Sequence, residues 1–268
     1  MDGMIVTGSE KMLARKADGI GWVTFNNPER HNAVSMEMWE ALERIMADYT
    51  ADPAVRVVVL TGAGGRAFVS GADISKFESE RSGEAAVAAY QAQTARAYDA
   101  VYDCPKPTIA MIQGHCIGGG TALAVCCDMR ICGESASFGV PAAKLGLGYP
   151  LHGLRKLVDL VGPSFAKEIF FTAKKWSSED ARIMGLVNRV VPNDQLEAFV
   201  TDYAKTIAGN APLTVGSAKY IIGQALKDRG EADEAKCDAM VKACFASEDY
   251  VEGRRAFMEK RPPQFKGR

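Results

Sequence analysis

Three consecutive glycines, Gly118-Gly119-Gly120, stand between a strand-like run, TIAMI at 108–112, and the apolar run Ala122 to Cys127. Such a segment describes a tight strand-to-helix turn whose backbone approaches something too closely for a side chain to fit. A helix starting there aims unpaired N–H groups and the positive end of its dipole at whatever occupies the turn. A second glycine-bearing turn, GAGGRAFVSGADI at 62–74, follows the β-branched run VRVVVL at 55–60. So uniformly apolar a run fits a strand covered on both faces, hence a sheet with helices packed on it. Neither turn carries G-x-G-x-x-G with an acidic residue about twenty positions on, nor the P-loop pattern, so Rossmann and P-loop nucleotide binding are not indicated. Close helix packing explains one such turn. Two of them, each after a buried strand, raise the case for an anion or oxyanion site.

Around these turns the chain alternates strands and helices. Residues 12–26 read as two short strands joined at Asp18-Gly19, a hairpin pair. Ser35 precedes a helical period through Met36, Trp39, Leu42, Ile45 and Met46 and is the expected N-cap, without a capping box because Met38 holds the third position on. An alanine-rich segment at 83–103 reads as a helix ended by Pro105 and Pro107. Beyond residue 150, spacings of three and four predict helices at 152–161, 163–171, 177–185, 193–209, 212–228, 231–246 and 247–260. Pro212 and Ser247 mark two helix starts, and VNRVV at 187–191 is the last strand candidate. The class is α/β with a helical C-terminal third, whose apolar faces suit subunit assembly.

Composition narrows the partners. Lys+Arg total 32 against Asp+Glu 33, so no global positive field attracts a phosphate backbone, and nucleic acid is not an expected partner. The cysteines at 104, 116, 126, 127, 132, 237 and 244 are odd in number and lack repeated C-x-x-C spacing, so neither a disulfide framework nor a zinc site follows. Cys126, Cys127 and Cys132 read as small buried hydrophobes of a reducing compartment. No signal-peptide core or membrane-spanning apolar stretch is present, and the expected location is cytoplasmic. No metal site is expected.

Six separated motifs carry a resemblance: NNPERHNAVSMEMWEAL (26–42), RAFVSGADI (66–74), GHCIGGGTALAVCCD (114–128), SFGVPAAKLGLG (137–148), TAKKWSSEDARIMGLVNRVV (172–191) and SEDYVEGRRAFMEKRPPQFKG (247–267). Together they resemble the enoyl-CoA hydratase/isomerase family, the crotonase fold, over essentially the whole chain. The resemblance implies a spiral of ββα units over residues 1–205 with the acyl-CoA site, and a helical region at 206–268 that builds homotrimers or dimers of trimers. It implies a coenzyme A thioester as substrate, with no permanently bound cofactor. Its shared chemistry is a thioester enolate stabilised by two backbone amides, which map onto Ala72 and Gly119. Arg30, His31, Ala33, Ser70, Ala72, Asp73 and Ile74 resemble segments that cradle coenzyme A, and Lys260 resembles a lysine that reaches it near a subunit boundary.

Typical hydratases of that family place two glutamates where this chain has Ala122 and Ala142. Alanine has no titratable group, so water addition by the two-carboxylate route is in doubt. Cooperating carboxylates would have to come from Asp73, Glu78 or Glu80, whose spacing equally suits a solvated helix start. Tyr149, in LGLGYPLHG, lies in a loop similar to that of methylmalonyl-CoA decarboxylases, although those carry histidine where this chain has Ala72. Loss of carbon dioxide needs an electron sink more than a base, so a site without both glutamates is less anomalous for a decarboxylase. Three readings stand: an atypical hydratase or isomerase, a methylmalonyl-CoA-like decarboxylase, and an inactive acyl-CoA binding protein. Ala122, Ala142 and His152 are expected to line the pocket. His115 is expected to be packed, and Cys116 to be a buried thiol rather than a nucleophile.

Overall fold

The structure, a computed structural model, describes residues 7–73, 83–228 and 230–268. Strands β1 (Met12–Ala17) and β2 (Ile20–Phe25) form the expected hairpin, with Asp18 at φ 53° and Gly19 at φ 77°. Both left-handed positions match the turn whose twist suits two antiparallel strands. Helix α1 (Met36–Ala51) buries Trp39, Leu42, Ile45, Met46 and Tyr49 along one stripe. Ser35 takes the N-cap position, but its hydroxyl makes no capping bond and is buried without a hydrogen-bond partner among the described residues. The expected side-chain cap is therefore not made, and that helix end is held by packing.

Strand β3 (Val57–Gly62) begins two residues later than its apolar run suggests, because parallel pairing with β2 sets its bounds, from Ile20 against Val57 to Phe25 against Gly62. Strands β4 (Ala67–Val69), β5 (Thr108–Ile112), β6 (His115–Ile117), β7 (Met129–Gly133), β8 (Ser137–Gly139), β9 (Trp176–Ser177) and β10 (Arg189–Val191) complete two sheets. The larger has the order β1-β2-β3-β5-β7-β10 and the smaller β4-β6-β8-β9. Successive strand pairs β3/β4, β5/β6 and β7/β8 each place one strand in each sheet. Helix α2 (Glu84–Tyr102) precedes β5, and α3 (Gly119–Cys126) separates β6 from β7. This is the expected ββα spiral.

Side-chain alternation along β3 divides its residues between two apolar layers. Val58 and Leu60 join the layer containing Phe25, Trp39, Leu123 and Phe138. Val57 and Val59 face the other way, against Leu196, Val200, Ala204 and Ala208 of helix α4 (Leu196–Gly209). The larger sheet is thus covered on both faces, which explains why β3 shows no polar alternation.

Further along the chain, residues 151–161 and 163–172 form the two expected helices, separated at Gly162, whose backbone (φ 72°, ψ 165°) is not helical and which Pro163 follows at once. Pro212 opens the helix Pro212–Ala225, and Ser247 accepts from the Tyr250 amide at 3.0 Å to open Glu248–Glu259. Among the described residues no helix is long and apolar enough to cross a membrane.

Candidate active site

The two glycine turns meet. After β4, the chain runs beside Val34 in a parallel bridge: the Val34 amide donates to Gly71 (2.9 Å) and the Asp73 amide to Val34 (3.0 Å). Backbone groups alternate in direction along such a segment, so the Ala72 amide faces away from Val34. On the other turn, the short strand β6 intervenes between TIAMI and the glycines, a strand that sequence periodicity did not reveal. Gly118 adopts φ 56°, ψ −114° and places Gly119 at the first position of α3. A Cβ built on Gly119 would stand 3.9 Å from the Ala72 nitrogen. One built on Gly120 would fall 1.9 Å from the Val69 carbonyl oxygen, so no larger residue permits this approach. Among the described residues, neither the Ala72 nor the Gly119 amide donates to a carbonyl. Two such donors at the positive end of a helix suit an oxygen that carries or develops negative charge.

Ala72 and Gly119 both line a cavity of about 720 Å³. Ala122 and Ala142 both line it, although Ala142 is itself buried and part of the apolar core. Tyr149 and His152 line it too. The Tyr149 ring packs edge-on against Phe170, with centroids 5.0 Å apart, and burial pushes its phenol above the ordinary tyrosine range. Among the described residues that line the cavity there is no Asp or Glu. Glu78 and Glu80, together with Ile74, lie outside the described residues.

The segments expected to cradle coenzyme A do come together. Arg30 pairs with Asp73 at 3.4 Å, the Ser70 amide donates to His31 (3.2 Å) and the Ser70 hydroxyl to Arg30 (3.3 Å). The Ala33 carbonyl accepts from the Asn27 side chain at 2.9 Å. Ser70 and Ala72 reach the cavity wall, whereas Arg30, His31, Ala33 and Asp73 are not part of its lining. Lys260 is exposed at the end of the last helix and does not line the cavity within a single chain.

His115 is held by Ser137, with Nδ1 2.8 Å from the hydroxyl. Burial keeps its pKa below the ordinary 6.5, with further repulsion from Lys175, His31 and Arg66. Cys116 is wholly buried, and desolvation drives its thiol far above the range in which a thiolate forms. Both therefore behave as packed groups, as the sequence suggested. Among the described residues no cluster of three or more His, Cys, Asp or Glu could hold a metal ion.

Sequence reasoning missed Tyr98 and Lys156, and it named Asn32 only as part of the segment 30–33, without its role in the turn. The Tyr98 phenol donates to the Gly119 carbonyl at 3.1 Å. Asn32 donates to the carbonyls of Ala63 (2.9 Å) and Ala67 (2.7 Å), pinning the turn between β3 and β4. Lys156 lines the cavity beside Cys126. A signal existed for Tyr98: Gln91, Thr94, Ala95 and Tyr98 line the cavity at helical spacing along α2.

Two interleaved sheets, wound from ββα units and opening a thioester-sized cavity between two glycine turns, define the crotonase fold. A family profile described as enoyl-CoA hydratase/isomerase matches residues 15–268. The chain belongs to that family. It is 32% identical to the crotonyl-CoA hydratase of Syntrophomonas wolfei subsp. wolfei, over 96% of this chain and 98% of that one. It is also 32% identical to the carnitinyl-CoA dehydratase of Salmonella typhi, over 97% of this chain and all of that one. The crystal structure of an enoyl-CoA hydratase/carnithine racemase from Magnetospirillum magneticum superposes with a TM-score of 0.92 at 36% identity, covering 97% of each chain.

Proposed function

We propose that this protein is an acyl-CoA enzyme that works through a thioester enolate, with the substrate's carbonyl oxygen held by the amides of Ala72 and Gly119. The observation that carries this reading is the meeting of those two amides, from separate turns, at one cavity. As charge moves from the α-carbon onto the thioester oxygen, fixed donors strengthen their hold without reorganising. Loss of one such donor costs about 3 kcal/mol in the transition state. The segments 30–33 and 70–74, with Lys260 in an assembled oligomer, are the proposed coenzyme A edge. The helical region 206–268, which exposes Val251, Phe257 and Met258, is the proposed surface for a trimer or paired trimers. A cytoplasmic location belongs to the same reading.

Ala122 and Ala142 leave the described wall without the carboxylate pair that would activate and deliver water. This favours a second reading, loss of carbon dioxide from a malonyl-CoA-type substrate such as methylmalonyl-CoA. The C–C bond electrons pass into the enolate, carbon dioxide departs, and a proton then adds to the α-carbon. Tyr149, protonated well past neutral pH, is the proposed group beside the departing carboxylate.

Purified protein incubated with crotonyl-CoA and with methylmalonyl-CoA, followed for water addition and carbon dioxide release, separates these readings. Turnover of either supports enolate chemistry and assigns the reaction. Binding of both thioesters without turnover would instead identify an inactive acyl-CoA binding protein.

A further inference from the structure

The face of α3 that begins at Gly119 continues along the cavity through Ala122 and Cys126. Seven residues at the helical rise of 1.5 Å carry that face roughly 10 Å from the thioester end. There the ammonium of Lys156 lies 3.9 Å from the Cys126 sulfur and over the Tyr102 ring, 4.2 Å from its centroid. The Lys156 side chain is only 11% exposed, yet it lines the cavity. Its carboxylate partner, Asp99 at 3.0 Å, is 50% exposed and forms no part of the cavity lining.

A buried ammonium is costly in a wall otherwise suited to hydrocarbon, and a half-solvated carboxylate offsets only part of that cost. Among the described residues, no carboxylate neutralises it from the cavity side. Cys126 is held as a neutral thiol, pushed up to about 12 by burial, and His152, one turn before Lys156, adds a second basic side chain to the same wall. Among the described lining residues the cavity therefore carries cationic capacity and no carboxylate. An ammonium has three donors directed around its axis, so Lys156 can serve Asp99 and still offer a donor to a ligand.

We infer that Lys156 is a specificity-determining residue that selects acyl groups bearing a carboxylate at the end remote from the thioester, that is, dicarboxylic acyl-CoA substrates. This rests on the reading of the cavity as an acyl-CoA site. The remote carboxylate accepts from Lys156 Nζ while the chain runs along Ala122 and the thioester oxygen sits at Ala72 and Gly119.

The test is calorimetric binding of adipoyl-CoA and hexanoyl-CoA, which have the same chain length and differ in the terminal carboxylate, to the wild-type full chain, Lys156→Met and Lys156→Arg. The wild type is expected to prefer adipoyl-CoA by about tenfold, the worth of one charge-assisted hydrogen bond. Lys156→Met erases the preference while hexanoyl-CoA binding holds, and Lys156→Arg restores part of it. Equal wild-type affinity for the two ligands, or equal weakening of both in Lys156→Met, would overturn the inference and leave Lys156 as a tie between two helices. Failure of the wild type to bind either ligand would overturn the acyl-CoA reading as well.

Discussion

The Tyr98 hydroxyl lies 3.1 Å from the carbonyl oxygen of Gly119, and a methyl group on Gly119 would stand 3.2 Å from that same hydroxyl. The phenol therefore braces the Gly119–Gly120 peptide, the unit that follows directly on the Gly119 amide. Tyr98 is itself fixed by Trp39, edge to ring at 5.1 Å. Removing the hydroxyl in Tyr98→Phe keeps that packing and loosens the turn. With a neutral hydrogen bond worth about 1 kcal/mol, kcat is expected to fall about fivefold with KM little changed. Steady-state kinetics on the substrate identified by the thioester assays check this, and an unchanged kcat sinks the role.

Restoring carboxylates tests the meaning of Ala122 and Ala142. The double variant Ala122→Glu/Ala142→Glu is expected to raise crotonyl-CoA hydration about a hundredfold over wild type, the typical reach of positioned acid–base groups. Because Ala142 is buried, Ala122→Glu alone serves as the control for folding. A double variant that binds the thioester yet gains no hydration would count against the correspondence.

Arg130 is 2% exposed and donates to Leu186 (2.7 Å), Cys127 (2.6 Å) and Ala124 (3.3 Å). It thereby holds the C-terminal end of α3, whose N-terminus opens the site. Arg130→Met removes that donor from the Leu186 and Cys127 carbonyls, at about 1–3 kcal/mol for each one stranded, whereas Ala124 keeps the Cys127 amide at 3.2 Å. Urea denaturation is expected to show a loss of about 3 kcal/mol, and a midpoint equal to wild type would refute the clamp.

Acid should weaken the fold partly through His115. Its folded pKa lies below the ordinary 6.5 because burial disfavours the charged ring, with Lys175, His31 and Arg66 adding to the effect. Well above that pH the ring is neutral folded or unfolded, and it carries no penalty. As pH falls through 6.5 the unfolded chain protonates first, so stability declines until the pH has passed below the folded value. Urea midpoints between about pH 7 and pH 5 should fall less steeply in His115→Gln than in wild type. Identical slopes would assign the acid sensitivity elsewhere.

Much of this protein is legible locally. The hairpin at Asp18-Gly19, the doubly covered strand at Val57–Gly62, and the strand Thr108–Ile112 all follow from patterns a few residues long. So do the glycines that let backbone pass within reach of Val69, and the alanines where carboxylates would stand. The two- and three-residue strands of the smaller sheet left no such trace, because so short a segment has no readable period. Nor did Ser35 reveal that its hydroxyl caps nothing. What tertiary structure alone decided is the meeting of distant segments: Ala72 with Gly119, Tyr98 with the carbonyl of that glycine, and Lys156 with Cys126 and Asp99. Sequence records which groups can donate, accept or carry charge. Distances between residues decades apart in the chain arise only when the two sheets and their helices pack against one another, and that packing is what brings the two glycine turns and Lys156 to one cavity.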